Sequence, residues 1–267
     1  MKKYLAVMMA LAMTVSGSTL ALAGETEAEA GTEAEASTEA EVAELKGDGV
    51  MSYDEYMAAA VDDEVVVEAY VQAKQAWYEN NEEAGTSTAT VYAQDLTGGY
   101  FFYNMECSEE DYEALTEGTK IKVTGYKAEW AGEVEIADAT FEIEEGEYVA
   151  EPVDVTEYLA DEVTLIGCMN QKVSFTDMTV EAASEDDAEA AFLYNYDGSG
   201  SDGDDLYFNV SKDGNTYTFT VESYLCGPDT DVYQAVKELK VGDTVDLEGF
   251  LYWYEGVNPH ITSVTVK

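Results

Sequence analysis

A spacing of glycines that occurs twice is the feature that most constrains what this chain can fold into. Residues 115–143 read LTEGTKIKVTGYKAEWAGEVEIADATFEI, and residues 239–267 read LKVGDTVDLEGFLYWYEGVNPHITSVTVK. In each, a leucine (Leu115, Leu239) stands three residues before a glycine (Gly118, Gly242). Two further glycines follow at seven-residue steps, Gly125 and Gly132 in the first copy and Gly249 and Gly256 in the second. Between them Ile121 and Val123 match Val245 and Leu247, apolar residues at alternate positions, which is the period of a half-buried strand. One inserted residue near Asn258 brings Ile136 and Thr140 onto Ile261 and Thr265. Repetition at this level implies two domains of similar fold.

The segments ahead of each repeat agree. In the first copy, strands are expected at 64–74, 89–96 and 100–107, the last two joined by the tight-turn sequence Thr97-Gly98-Gly99. A short helix follows at 109–115, with Ser108 as N-cap and Glu109, Glu110 and Asp111 in its first turn. Strands at 119–129 and 133–143 complete the copy. In the second copy the strands fall at 171–182, 205–211 and 215–223, the last two joined at Asp213-Gly214, and a helix at 230–239 precedes two final strands. The order β-β-β-α-β-β in both copies predicts a mainly β protein of two OB-like five-stranded Greek-key barrels, each with one helix between strands three and four. Two small β-sandwiches are the alternative, but they do not call for a helix in the same place twice.

The glycine-marked segments also resemble the strand-four and strand-five half of OB-fold proteins, where a Gly-Asp turn opens strand four. Gly242-Asp243 fits that pattern closely and Gly118-Thr119 less so. Over residues 47–267 the chain resembles exported tandem OB-fold proteins of anaerobic Gram-positive bacteria, a family whose role is unknown. The resemblance implies the fold and carries no ligand with it.

Residues 1–23 read as a secretory signal peptide: Lys2 and Lys3, an apolar run from Tyr4 to Val15, and the cleavage signal Ala21-Leu22-Ala23. The apolar run is too short to span a bilayer, so no membrane insertion is expected after cleavage, and a secreted, extracellular or cell-wall-associated protein is. Residues 24–46 carry eight Glu and one Lys with almost no large apolar side chain, the composition of a disordered acidic spacer. The domains are then residues 47–148 and 149–267.

Charge narrows the function. The whole chain carries 57 acidic residues against 12 Lys, with no Arg and a formal net charge of −45. Such a surface repels nucleic acids and anionic membranes, so no nucleic-acid partner is expected. OB folds bind on the face of strands two and three, flanked by the loops between strands one and two and between four and five. All three Trp fall in or beside those loops. Trp77 and Tyr78 open the first loop, Trp130 precedes the Gly132 turn, and Trp253 lies between Tyr252 and Tyr254. Tyr92, Tyr100, Phe102 and Tyr207 are on or near the relevant strands. Rings of this kind either pack the barrels or present a face to a ligand. An acidic, Tyr- and Trp-rich surface suits sugars, whose C–H faces pack on rings and whose hydroxyls donate to carboxylates.

The expected function is therefore a non-enzymatic secreted or cell-surface binding protein with a polysaccharide ligand. The expected site is Trp77, Tyr78, Tyr92, Trp130, Tyr252, Trp253 and Tyr254. The alternatives are a protein-interaction or structural module with a cell-surface partner and, against the charge, a nucleic-acid-binding OB protein. Catalysis has little to work with. His260 is the one histidine, and no nucleophile elbow, zinc-binding or CxxC motif occurs. No cofactor is expected. Asn195, Asp197 and Ser199 imitate the first half of a Ca²⁺ loop, but Leu206 stands where the bidentate Glu belongs. Of Cys107, Cys168 and Cys226, the last two share a domain and could pair, while small buried thiols are the plainer expectation for all three.

Overall fold

A computed structural model describes residues 46–267. The expected signal peptide at 1–23, and the expected spacer up to residue 45, lie outside the described residues.

The first barrel begins with a short helix α1 (Tyr53–Ala58). The strands β1 (Glu64–Lys74), β2 (Tyr78–Asn81), β3 (Thr86–Gln94) and β4 (Gly99–Glu106) follow, then α2 (Glu109–Ala114), β5 (Thr119–Trp130) and β6 (Glu133–Glu147). Its sheet runs β1-β5-β6-β4-β3-β2, and β1 also pairs with β3, which closes the barrel. The second barrel contains β7 (Val153–Asp154), α3 (Glu162–Leu165), β8 (Lys172–Glu181), β9 (Leu193–Tyr194), β10 (Leu206–Lys212) and β11 (Asn215–Val221). It ends with α4 (Asp231–Glu238), β12 (Thr244–Phe250) and β13 (His260–Val266). Its sheet runs β7-β8-β12-β13-β11-β10-β9 and closes through β8–β10. With the short added strands β2, β7 and β9 set aside, each barrel has five strands in the expected OB order. Strands three and five meet in parallel at one register position in each, Phe102↔Ile136 and Thr220↔His260.

The repeated glycines do the same two jobs in both barrels. Gly118 and Gly242 turn into strand four at φ +88° and +93°, where a side chain would be strained. Gly125 and Gly249 let strand four lie against strand five, at points where the pairing register shifts. A Cβ on Gly249 would sit 2.2 Å from the His260 carbonyl oxygen, and one on Gly125 would sit 2.7 Å from the Ile136 side chain. Helix α1 is an addition to the sequence-derived order. Six residues are too few to show a helical period, although its capping box is plain, with Ser52 accepting from the Glu55 N–H and the Glu55 carboxylate accepting from the Ser52 N–H.

Each barrel has its own apolar core. One is centred on Val67, Tyr100, Phe102, Met105 and Ile121, the other on Phe175, Phe208, Phe219, Val245 and Ile261. A third, smaller cluster of Tyr92, Phe101 and Phe250 joins the two barrels. The three cysteines are free thiols, with Cys107 and Cys226 buried and Cys168 partly so. No helix among the described residues is long and apolar enough to cross a membrane.

Candidate functional site

Alternation along β3, β4 and β6 sends one set of side chains into the first core and the other set outward. The outward set includes Thr88, Thr90 and Tyr92 on β3, Phe101 and Tyr103 on β4, and Glu133, Glu135 and Ala137 on β6. On most sheets such a face would meet water. Here the second barrel covers part of it. Tyr92 stacks on Phe250 with ring centroids 4.4 Å apart, and its hydroxyl shares a 2.9 Å hydrogen bond with His260 Nδ1. Tyr252 meets Phe101 edge-on and stacks on His260. Burial alone pushes His260 down to about 3, so it stays neutral in this seam.

Backbone and polar contacts fix the seam. The Asn170 amide donates to the Glu133 carboxylate at 2.5 Å and to the Val134 carbonyl, and the Trp253 N–H donates to the other Glu133 oxygen at 2.9 Å. The Glu255 N–H donates to the Ala131 carbonyl, joining the two loops between strands four and five. At the opposite side, the Ala76 N–H donates to the Tyr224 carbonyl, and the Gln75 amide donates to Glu222.

Between these two lines of contact the barrels stand apart, and a cleft of about 970 Å³ remains. The first barrel supplies Trp77, Tyr78, Phe101, Tyr103 and Trp130 to its walls; the second supplies Tyr207, Tyr224, Tyr252 and Tyr254. Four carboxylates also line it, Glu83, Glu135, Asp205 and Glu222, and no lysine does. Glu135 and Glu222 are each pushed up to about 7, first by burial and then by a neighbouring carboxylate, Glu83 for the one and Asp205 for the other. Glu133, sealed beneath the cleft, is pushed up to about 8, because burial outweighs the two hydrogen bonds it accepts.

The sequence-derived site divides against this geometry. Trp77, Tyr78, Trp130, Tyr252 and Tyr254 come together in the cleft. Trp130 is 63% exposed, while Trp77 is half-buried, its Nε1–H donating to the Cys107 carbonyl. Tyr92 and Trp253 do not belong to a ligand surface. Tyr92 is fully covered by the second barrel, and Trp253, 8% exposed, packs into the second core. On β4 the outward rings are Phe101 and Tyr103, while Tyr100 and Phe102 are buried in the core. Asn195, Asp197 and Ser199 form a turn in which Asp197 accepts from the Ser199 N–H. Among the described residues no group of three or more His, Cys, Asp or Glu is placed to hold a metal ion. Sequence reasoning missed Glu135, Asp205, Glu222 and Tyr224. Only their place relative to the strands could have picked them from 57 acids and 20 Tyr.

No protein-family model matches the chain, and no curated protein matches it. Several solved structures share its arrangement of strands. The p204 HINb domain is 10% identical, with 78% of this chain and 100% of that chain covered and a TM-score of 0.35. A murine DNA-binding protein bound with double-stranded DNA is 10% identical over 76% of this chain and 96% of that one, with a TM-score of 0.36. A replication protein A heterotrimer bound to single-stranded DNA is 12% identical over 82% of this chain and 52% of that one, with a TM-score of 0.33. The expectations of a polysaccharide ligand and of no nucleic-acid partner are corrected on this point. Where these neighbours' descriptions name a bound ligand, it is DNA, and none names a sugar. The likeness itself is one of fold.

Proposed function

We propose that this protein is a binding module rather than an enzyme, and that its site is the cleft between the two barrels, where it holds an extended segment of a partner protein. The observation that carries this reading is the cleft's lining, in which nine aromatic rings and four carboxylates converge without a lysine among them. Rings give flat apolar contact to any chain laid between the barrels, and the carboxylates select neutral or positively charged segments over anionic ones. The one histidine, His260, borders the cleft but is largely covered, with Nδ1 bonded to the Tyr92 hydroxyl and its basicity pushed down to about 3 by burial, which makes it a poor general base for a Ser–His arrangement.

A second reading is favoured by a specific observation: Tyr78, Trp130, Tyr224 and Tyr254 are all more than half exposed at the cleft, as stacking platforms for bases are. Single-stranded nucleic acid could use them, as the neighbours described with DNA raise at the level of fold. The four carboxylates oppose it, since the phosphate backbone needs a positive groove.

Tryptophan fluorescence of the full chain separates the two, with Trp130 as the exposed reporter. Titration with a lysine-rich peptide should give a saturable change that Trp130→Ala removes while the barrels stay folded. A saturable change with oligothymidylate and none with peptide would replace the first reading by the second. A flat response to both would overturn the cleft as the site.

A further inference from the structure

One carboxylate in the cleft stands apart from the other acids of the chain. Glu135 is 8% exposed, so more than nine-tenths of it is covered, yet its oxygens accept no hydrogen bond and meet no lysine among the described residues. Its companions are differently placed. Glu133 accepts from Asn170 and Trp253, and Glu222 accepts from Gln75 and from the Leu225 N–H. The Glu135 oxygens are not fully enclosed and open onto the cleft, so a carboxylate largely stripped of its water and given no partner by the protein is presented to whatever enters there. Glu135 is held there by β6, whose outward register sends it into the cleft beside Tyr103 of β4 and Tyr252 of the second barrel, with Glu83 near its mouth.

We propose that Glu135 is the seat for an organic cation, an alkylammonium or guanidinium group that enters the cleft on a flexible aliphatic stem. The ammonium supplies the hydrogen bonds that the protein withholds. The surrounding rings take the apolar stem and face the charge, as aromatic walls do around organic cations. Glu83 adds a second negative charge at the entrance. A metal ion is a poor fit, because no third His, Cys, Asp or Glu stands in range among the described residues. The inference rests on the cleft being the binding site and adds the chemistry of what enters it.

Two sources carry this group: a lysine or arginine side chain of a partner protein, and a free polyamine. Isothermal titration of the full chain with acetyl-tetralysine-amide, with spermidine, and with acetyl-tetraglutamine-amide as the neutral control distinguishes them. The tetralysine peptide should bind and the glutamine peptide should not. Glu135→Gln should weaken peptide binding by about ten- to a hundredfold, the range for losing a charge-assisted hydrogen bond in a covered site. The substitution keeps the side chain's shape and removes an unpaired charge, so the thermal unfolding temperature should not fall. Glu248→Gln, on an exposed strand position outside the cleft, controls for loss of bulk charge.

A second readout bears on Glu135 itself. The titratable groups facing it are Glu83, Glu133, Tyr56, Tyr103 and Tyr252, none of them cationic. Near pH 7 the free carboxyl is about half protonated, and seating a cation should expel that proton. Binding heats measured in buffers of different ionisation enthalpy should therefore reveal proton release in the wild type and less of it in Glu135→Gln. If spermidine binds as tightly as the peptide, the source is the free amine. If the peptide binds equally well to Glu135→Gln, this seat is wrong while the cleft reading stands. If neither amine binds the wild type, both fall.

Discussion

Replacing Glu133 by glutamine should flatten the dependence of this protein's stability on pH. Glu133 is wholly covered where the two barrels meet, and it is pushed from its ordinary 4.5 to about 8. Between those values the native chain holds a proton that the unfolded chain has released, so stability falls as pH rises. The contribution is full below 4.5, declines through the window, and is gone above 8. Each pH unit in the window is worth about 1.4 kcal/mol, so moving from pH 5 to pH 7.5 removes about 3 kcal/mol through this group. For a chain of this size that is about 6–12 °C in unfolding temperature. Glu135 and Glu222 weaken the fold in the same direction, so the measurement is the difference between two proteins. The amide introduced by Glu133→Gln imitates the protonated acid and can still accept from the Trp253 N–H. Wild type and variant should unfold at nearly the same temperature at pH 5 and separate steadily toward pH 8, the variant being the more stable. Circular dichroism melts at half-unit intervals would show it. Parallel curves would mean that Glu133 is ionised in the fold and that the argument from burial is mistaken.

Gly249→Ala should destabilise the second barrel by about 3 kcal/mol, since the added methyl meets the His260 backbone and not a movable side chain. Gly242→Ala has open space around it and should lose only about 1 kcal/mol, from the positive φ; urea titration distinguishes the two. The Cys226 thiol is pushed up to about 12 by burial and then by Glu222, and that of Cys107 to about 11 by burial and then by Asp111. Both should resist iodoacetamide at pH 8 in the native protein, with partly exposed Cys168 modified first and all three modified in urea, as read by mass spectrometry.

Most of the fold was legible because it is written twice. The glycine spacing located strands four and five in both copies, and the hairpins at Gly98-Gly99 and Asp213-Gly214 located strands two and three. The site was legible only in part, for reasons that lie in particular residues. Tyr100-Phe101-Phe102-Tyr103 is aromatic at every position, so alternation cannot say which pair faces out. Trp253 sits between two tyrosines and turns into the core, while they turn toward the cleft. Tyr92 points away from its own barrel, as its register requires, and is covered only because another barrel packs there. Alternation within a strand reports one face against another and carries no mark of what arrives from the rest of the chain. The export signal read in residues 1–23 falls outside the described residues.

The seam through Tyr92, Phe250 and His260 has a consequence for how anything enters the cleft. Tandem domains on a loose linker must be brought into register when a ligand arrives, and the lost freedom is deducted from affinity. Here that ordering is completed during folding, by stacked rings and a sealed carboxylate, before any ligand is met. A molecule entering between the barrels finds both walls already at their working separation. Selection then falls on width and charge instead of on how readily two bodies close, and mutations that loosen the seam would show themselves first as weaker, less discriminating recognition.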